Sequence, residues 1–146
     1  MNKISKNPDE TQKCGAVFYR SIKKWPSLIL LKGPLGAGKT QFARGFIQSF
    51  LKKKTVVTSP SYSLVNAYKV GRKSLYHIDL YRLQSTDDLE SVGLWDFFDG
   101  PNIILVEWAE KLPALWPQNV SIFEVTIELK SENERAITIQ PFLQST

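Results

Sequence analysis

One short segment of the sequence, residues 33–40, combines three glycines with a lysine and a hydroxyl group. Its order is glycine, four residues, then Gly38, Lys39 and Thr40, which satisfies every position of the Walker A pattern. In such a loop the backbone N–H groups surround phosphate, the lysine contacts the β and γ phosphates, and the hydroxyl binds Mg²⁺. The segment therefore predicts a nucleoside triphosphate site, with contacts from Gly33, Leu35, Gly36, Ala37, Gly38, Lys39, Thr40 and Gln41.

The segments on either side of this P-loop have the patterns of a strand and a helix. Residues 27–32 form an apolar run of the kind found in buried parallel strands. A strand, a glycine-rich loop and a helix in this order direct the positive end of the helix at bound phosphate. Apolar side chains recur at helical spacing after the loop, at Phe42, Ala43, Phe46, Ile47, Phe50 and Leu51.

Two acidic residues stand where predicted strands end. Glu107 lies near the end of the apolar run 102–108, and Asp79 lies where a strand over 74–80 meets a loop. A carboxylate at the end of a buried strand is costly unless it has a partner such as a cation. We favour Glu107 over Asp79 as the residue that binds the metal, directly or through water, and orients the attacking water. Asp79 would hold the water shell of the metal or the Thr40 hydroxyl, and the sequence leaves the division of these roles open. Lys39, Asp79 and Glu107 are thus the predicted catalytic residues, and Thr40, Asp79 and Glu107 the predicted metal ligands.

Two further features each allow a functional and a structural interpretation. The hydroxyl-rich segment 58–62 follows the P-loop helix, where its side chains could sense the γ-phosphate, but its residues are also common in ordinary turns. His77 lies within a predicted strand, where a lone histidine is more often a hydrogen-bonded structural residue than a catalyst.

The remaining pattern predicts an α/β fold in a single domain, residues 1–146. Asn7 and Pro8 begin a helix that the Trp25-Pro26 pair is expected to end, and a short helix is expected over 85–92 with a stop at Gly93. Further strands are expected over residues 62–70, 120–130 and 135–139, with a hairpin turn at 71–72. We predict a P-loop NTPase-like three-layer sandwich, with a mainly parallel central sheet and added antiparallel strands.

Composition limits the possible classes of protein. Of the 146 residues, one is cysteine and one is histidine, which excludes a disulfide scaffold and a zinc cluster of the usual spacing. No apolar run approaches the roughly 20 residues that span a bilayer, so we expect a cytoplasmic protein without a membrane segment. The net charge of +5 fits an anionic partner, such as a nucleotide, RNA or an acidic protein surface.

With these residues in place, the sequence resembles the TsaE family, also called YjeE. These are small bacterial P-loop ATPases required for threonylcarbamoyladenosine in transfer RNA. The resemblance rests on four blocks, residues 33–40, 58–65, 77–83 and 106–108, of which the last three in combination are the most specific. Arg135 also agrees with the pattern of the family. Pro34 and Ser61 depart from it, since an acid and a threonine are usual at these two positions.

The resemblance implies functional roles for residues in all four blocks. Thr40 and Glu107 would handle magnesium, Asp79 would be required, and Trp108 and Arg135 would lie near the bound ATP. The implied partners are TsaB and TsaD, with TsaD transferring the threonylcarbamoyl group and transfer RNA reached through the complex. A switch segment is implied, made of Ser59, Pro60, Ser61 and Tyr62.

Two other functions remain possible from the sequence. A small-molecule kinase could use the same P-loop, although no lid-length insertion with paired arginines is present. A nucleotide-dependent assembly switch without catalysis is the second alternative. The absence of a guanine-reading Asn-Lys-x-Asp string favours ATP over GTP.

Overall fold

Seven strands join into one sheet, with helices packed on its faces. The computed structural model describes residues 1–60, 64–85, 87–91, 93–111 and 116–142. The strands are β1 (Asn2–Ser5), β2 (Ser27–Lys32), β3 (Val65–Val70), β4 (Lys73–Asp79), β5 (Ile103–Glu107), β6 (Ser121–Leu129) and β7 (Arg135–Pro141). The helices are α1 (Pro8–Ser21), α2 (Lys39–Leu51) and α3 (Asp87–Ser91), with 3-10 helices at Leu94–Phe98 and Ala109–Lys111.

The centre of the sheet is parallel and its two ends are antiparallel. The strand order is β1-β7-β6-β2-β5-β4-β3, and the pairs β6–β2, β2–β5 and β5–β4 run parallel. The pairs β1–β7, β7–β6 and β4–β3 are antiparallel. The predicted fold class, a mainly parallel sheet with antiparallel additions and helices on its faces, is confirmed.

Strand register brings the acidic residues to the edge of the sheet where the P-loop begins. Asp79 is the pairing partner of Glu107 across β4 and β5, and Glu107 is the partner of Leu31 in β2. The P-loop follows β2 directly, so it starts at the same carboxyl edge. Ligands of open α/β sheets bind at this edge, outside the carboxyl ends of the strands.

Alternating side chains of the strands supply two separate apolar cores. Ile29, Leu31 and Leu105 pack with α1 and α2 on one face of the sheet. Leu30 and Ile78 face the other side, against the 3-10 helix Leu94–Phe98 and Trp116. The strands at the centre are therefore buried on both faces, which explains why β2 and β5 show apolar runs rather than alternation.

Two glycines allow α1 and α2 to approach each other closely. A Cβ atom added to Gly45 would lie 1.8 Å from the backbone oxygen of Gln12, and one added to Gly15 would lie 2.1 Å from that of Phe42. Any side chain at either position would collide with the backbone of the other helix. The close approach also permits a 2.7 Å hydrogen bond from the Gln12 side chain to Gln41, a P-loop helix residue.

The start of α1 follows the prediction, while its end does not. Asn7 caps the helix by accepting a 2.9 Å hydrogen bond from the backbone N–H of Glu10, and Glu10 in turn accepts from the N–H of Lys6. The helix ends at Ser21 rather than at the Trp25-Pro26 pair, whose peptide bond is cis.

Several short elements differ from the sequence predictions. Strand β1 was not predicted, because most of its residues are polar and it pairs only with the distant β7. The 3-10 helix after Gly93 was also not predicted. The predicted helix over 85–92 is the five-residue α3, with Val92 outside the described residues. No described helix is both long and apolar enough to cross a membrane.

Candidate nucleotide site

A cavity of about 490 Å³ opens at the carboxyl ends of β2, β4 and β5. This volume lies within the range of roughly 300 to 1,000 Å³ that is typical of small-molecule sites. Residues from the P-loop, from the loop before β3 and from the ends of two strands line it: Leu35, Gly36, Ala37, Gly38, Lys39, Thr40, Gln41, Ser59, Asp79, Tyr81, Arg82, Glu107 and Trp108.

The P-loop turns sharply from β2 into α2. The backbone N–H of Ala37 donates to the carbonyl of Pro34 at 3.1 Å, which closes the first turn of the loop. Gly38 then has a φ of 107°, a conformation that residues with a Cβ rarely adopt, and α2 begins at Lys39. The first N–H groups of α2 consequently face the cavity, where they can donate hydrogen bonds to an anion.

Lys39 is buried at the base of the loop with its side chain folded back on it. Its Nζ donates to the carbonyls of Gly33 at 2.5 Å and Pro34 at 3.0 Å, and it lies 3.7 Å from the centroid of the Trp108 ring. Burial lowers the pKa of Lys39, while the more distant carboxylates of Glu107, Glu110 and Asp79 act in the opposite direction. The groups in direct contact with the ammonium are these backbone oxygens and the aromatic face of Trp108.

Glu107 connects the P-loop to β4 through both of its carboxylate oxygens. The Thr40 hydroxyl donates to Oε1 at 3.1 Å, and Nε2 of His77 lies 2.5 Å from Oε2. Glu107 is 2% exposed and His77 is fully buried. A buried carboxylate of this kind is tolerated because each oxygen has a hydrogen-bond partner.

Asp79 is linked to the segment that precedes β3. Its Oδ2 accepts from the Ser59 hydroxyl at 3.1 Å, and its Oδ1 accepts from the backbone N–H of Tyr81 at 2.8 Å. The two carboxylates therefore have different partners. Glu107 accepts the hydrogen bond of the Thr40 hydroxyl, whereas Asp79 accepts that of Ser59. The structure therefore pairs the Thr40 hydroxyl with Glu107 and not with Asp79.

Comparison with known proteins adds a second line of evidence. The profile of one family, described as "Threonylcarbamoyl adenosine biosynthesis protein TsaE", matches residues 5–137 of this chain. The chain belongs to the TsaE family. The resemblance inferred from the four sequence blocks is thereby confirmed, and with it a role in threonylcarbamoyladenosine biosynthesis for transfer RNA.

Individual TsaE proteins and one solved structure are similar over most of their lengths. The TsaE of Rickettsia felis is 37% identical over 136 residues, which cover 93% of this chain and 77% of that protein. The TsaE of Bacillus subtilis is 36% identical over 132 residues, or 90% of this chain and 80% of that protein. The crystal structure of Bacillus subtilis YdiB superposes with a TM-score of 0.69 at 30% identity, covering 95% of this chain and 83% of that one.

Most of the predicted site residues that the structure describes in this TsaE chain line the cavity. Gly33 contributes through its carbonyl to Lys39 rather than lining the cavity. Arg135 lies outside, where its guanidinium donates to the carbonyl of Gly36 at 3.5 Å. Pro60 is buried and accepts from the N–H of Leu64, while Ser61 and Tyr62 fall outside the described residues.

Three residues near the cavity were not assigned a site role from the residue pattern. Tyr81 and Arg82 line it, and the Tyr81 ring lies 5.0 Å from that of Trp108. His77 was interpreted as structural. All three belong to the block 77–83 that carries the family resemblance. Their place in this block was the one feature of the sequence that could have indicated a role at the site.

The donor set of the cavity fits magnesium. Thr40 and Glu107 present a hydroxyl and a carboxylate oxygen 3.1 Å apart, and Asp79 ends the adjacent strand. Among the described residues no three His, Cys, Asp or Glu side chains form a metal cluster. Magnesium accepts such a small protein set because it takes most of its ligands from phosphates and water.

Proposed function

We propose that this chain hydrolyses ATP with Mg²⁺ and does so in the service of threonylcarbamoyladenosine modification, in a complex with TsaB and TsaD. The contact between the Thr40 hydroxyl and the Glu107 carboxylate carries the proposal. It joins the last residue of the phosphate-binding motif to a buried acid at the end of a neighbouring strand, which is where P-loop NTPases hold magnesium.

Phosphate binding begins with the residues of the P-loop and α2. The free N–H groups at the start of α2 point toward the cavity, and Lys39 already lies at its floor. When triphosphate binds, the Lys39 ammonium exchanges the carbonyls of Gly33 and Pro34 for phosphate oxygens. Trp108 and Tyr81 offer aromatic surface at the rim of the same cavity.

Hydrolysis then depends on charge neutralisation and on placing one water molecule. Thr40 and Glu107 would hold magnesium, which supplies neutralisation of the phosphate charge that develops during transfer. Glu107 is fixed by two hydrogen bonds, so its position is set before the substrate arrives. Water adds to the γ-phosphorus, the bond from that phosphorus to the β–γ bridging oxygen breaks, and ADP and phosphate leave.

Asp79 gives the site a connection to partner proteins. Its carboxylate accepts from Ser59, which begins the proposed switch segment, while its backbone pairs in register with Glu107. Occupation of the γ-phosphate position would therefore be communicated to the loop before β3. Such a link is the usual way in which a nucleotide controls assembly in P-loop proteins.

A reconstitution with TsaB and TsaD tests the proposal. We expect ADP formation and nucleotide-dependent association with wild type, and loss of both with Lys39→Ala. Glu107→Ala should bind Mg²⁺-ATP more weakly and form ADP slowly, whereas Glu110→Ala, an exposed acid nearby, should behave as wild type.

The outcome also separates the two alternatives. Transfer of labelled phosphate from ATP to a small acceptor would identify a kinase. Association that follows ATP binding without formation of ADP would identify an assembly switch. If the chain associated with TsaB and TsaD in no nucleotide state, these two proteins would be ruled out as partners.

A further inference from the structure

A groove between α1 and the end of α2 is lined by five basic side chains: Lys13, Arg20, Lys52, Lys53 and Lys54. We call this the basic groove. All five side chains are exposed, and Asp9 is the one acidic residue among its lining. In residues 1–60 and the other described segments, no carboxylate oxygen lies within 4 Å of any of the five. In the part of the chain that the structure describes, these five cations therefore form no ion pair.

Helix dipoles do not explain the whole basic groove. Lys52 is the C-cap of α2 and Arg20 lies in the last turn of α1, where a cation is favourable. Lys13 lies in the middle of α1, and Lys53 and Lys54 follow the end of α2. These three lysines gain little from a dipole, whose effect is confined to the terminal turn.

The lining of the basic groove selects among anionic partners. Ala16 is its one apolar side chain, no aromatic residue lines it, and Gln12, Gln48 and Ser49 supply neutral polar groups. Protein interfaces are usually rich in aromatic residues and poor in lysine, and single-stranded nucleic acid is usually held by aromatic stacking. Lysine and arginine with glutamine and serine are the side chains that contact phosphate and sugar.

We propose that the basic groove binds the sugar-phosphate backbone of double-helical RNA. RNA rather than DNA follows from the membership of a family that acts in transfer RNA modification. The lysines after α2 lie a whole helix away from the P-loop, about 20 Å for the 13 residues of α2. RNA and nucleotide therefore occupy separate sites, and RNA contact does not depend on the proposed hydrolysis.

Fluorescence anisotropy with a labelled transfer RNA transcript and a 16-base-pair RNA duplex tests the basic groove. The triple variant K52E/K53E/K54E should bind both RNAs at least tenfold more weakly than wild type. Its affinity should also depend less steeply on salt concentration. The triple variant K69E/R72E/K130E makes the same change in net charge at exposed positions elsewhere, and it should lower the affinity much less. Binding of ATP should be unchanged in both variants.

Four results would overturn the proposal. One is the absence of RNA binding by wild type at 50 mM salt, and another is an equal loss of affinity in the two triple variants. The third is preferential binding of polyglutamate over duplex RNA, which would assign the groove to an acidic protein. Tighter binding of a DNA duplex of the same length would also contradict the choice of RNA.

A second observation, independent of the first, concerns the buried ring of His77. Its Nε2 lies 2.5 Å from Oε2 of Glu107, and its Nδ1 is buried without a hydrogen-bond partner among the described residues. His77 pairs in register with Leu105, two residues before Glu107, so both side chains lie on the same face of neighbouring strands. Glu107 thus receives a hydrogen bond from the sheet as well as from Thr40.

We infer that His77 is a positioning residue that fixes Glu107 for magnesium. The Nε2–H group donates to Oε2, which leaves Oε1 directed at the Thr40 hydroxyl and the metal position. The contact of Nε2 with Oε2 holds the buried ring against the carboxylate, so the geometry supports an orienting role. This inference rests on the proposed magnesium site.

The variants His77→Leu and His77→Gln provide the test. Loss of the donor in His77→Leu should reduce the Mg²⁺-dependent gain in affinity for a fluorescent ATP analogue by roughly 10- to 100-fold. Affinity without Mg²⁺ should stay unchanged, and His77→Gln, which keeps an N–H donor, should recover most of the loss. Because the chain contains one histidine, ¹⁵N-histidine labelling of wild type gives one pair of ring signals, from Nδ1 and Nε2. This pair should show the Nε2–H tautomer and shift on addition of Mg²⁺ and nucleotide.

The readouts distinguish failure of this inference from failure of the proposed function. An Nδ1–H tautomer, or the same Mg²⁺ response in folded His77→Leu as in wild type, would overturn the role of His77. If Glu107→Gln also kept the full Mg²⁺ response, the proposed magnesium site would be wrong.

Discussion

The Thr40 hydroxyl donates a 3.1 Å hydrogen bond to Oε1 of Glu107, although 67 residues separate the two in the chain. The two oxygens expected to hold magnesium are therefore adjacent in the fold. Preorganisation of this kind lowers the cost of assembling a site when substrate binds.

Replacement of Glu107 by glutamine tests the importance of its charge. Glu107→Gln keeps the shape of the side chain but removes the negative charge, so we expect Mg²⁺-ATP affinity to fall by roughly 10- to 100-fold. Titration with Mg²⁺ at fixed nucleotide concentration measures the effect. Glu110→Gln is the matched control, since Glu110 is exposed and lies three residues later. An unchanged Mg²⁺ titration in a folded Glu107→Gln protein would contradict the assignment.

The lowered pKa of Lys39 predicts that nucleotide binding depends on pH. Burial lowers the pKa in the free protein, and contact with phosphate raises it again in the complex. Below the free-state pKa the lysine is protonated in both states and affinity is highest. Between the two pKa values binding takes up a proton, so affinity falls as pH rises, by at most about tenfold per pH unit.

Calorimetry in buffers of different ionisation enthalpy measures this proton uptake directly. Lys39→Arg is the control, because the arginine side chain keeps its charge throughout the accessible range. Equal proton uptake by wild type and Lys39→Arg would assign the pH dependence to another group.

The bond between Ser59 and Asp79 predicts a coupling variant. Ser59→Ala removes the 3.1 Å hydrogen bond to Oδ2 of Asp79, which is worth about 1 kcal/mol, or roughly a fivefold change in an equilibrium. We expect the difference in partner affinity between the ATP and ADP states to shrink by about this factor. Thr58→Ala, at the exposed neighbouring residue, should leave that difference intact. The measurement is association with TsaB and TsaD in each nucleotide.

The contact between α1 and α2 predicts a large effect on stability. The methyl group of Gly45→Ala would lie 1.8 Å from the backbone oxygen of Gln12, and neither helix can move without disturbing the core. We expect the free energy of unfolding to fall by about 3 kcal/mol or more. Urea denaturation measures it, with Gln48→Ala on the same helix as a control expected to change stability by less than about 1 kcal/mol. A stable Gly45→Ala protein would show that the helices are not in close contact.

Much of the fold could be predicted because its central strands carry strong local patterns. The apolar runs of β2 and β5 and the motif between β2 and α2 place the P-loop and Glu107 from sequence alone. Strand β1 could not be found in this way, since its stability comes from pairing with β7, more than 130 residues later in the chain.

The site was predicted as a set of residues rather than as a set of contacts. Motif and strand ends identified Lys39, Thr40, Asp79 and Glu107, all of which line the cavity. The bond of His77 to Glu107 depends on the register between β4 and β5, and no local pattern encodes a register. The stacking of Trp108 over Lys39 likewise depends on the left-handed backbone at Trp108, with a φ of 62°.

The pairing of Asp79 with Glu107 in adjacent strands has a cost that the folded protein bears when no ligand is bound. Both acids are nearly buried, at 4% and 2% exposure, and removing a carboxylate from water costs free energy. Function and folding stability therefore make opposite demands at this pair of positions. Asp79→Asn should raise the melting temperature of the ligand-free protein while it impairs activity, and Mg²⁺ with nucleotide should stabilise wild type more than this variant.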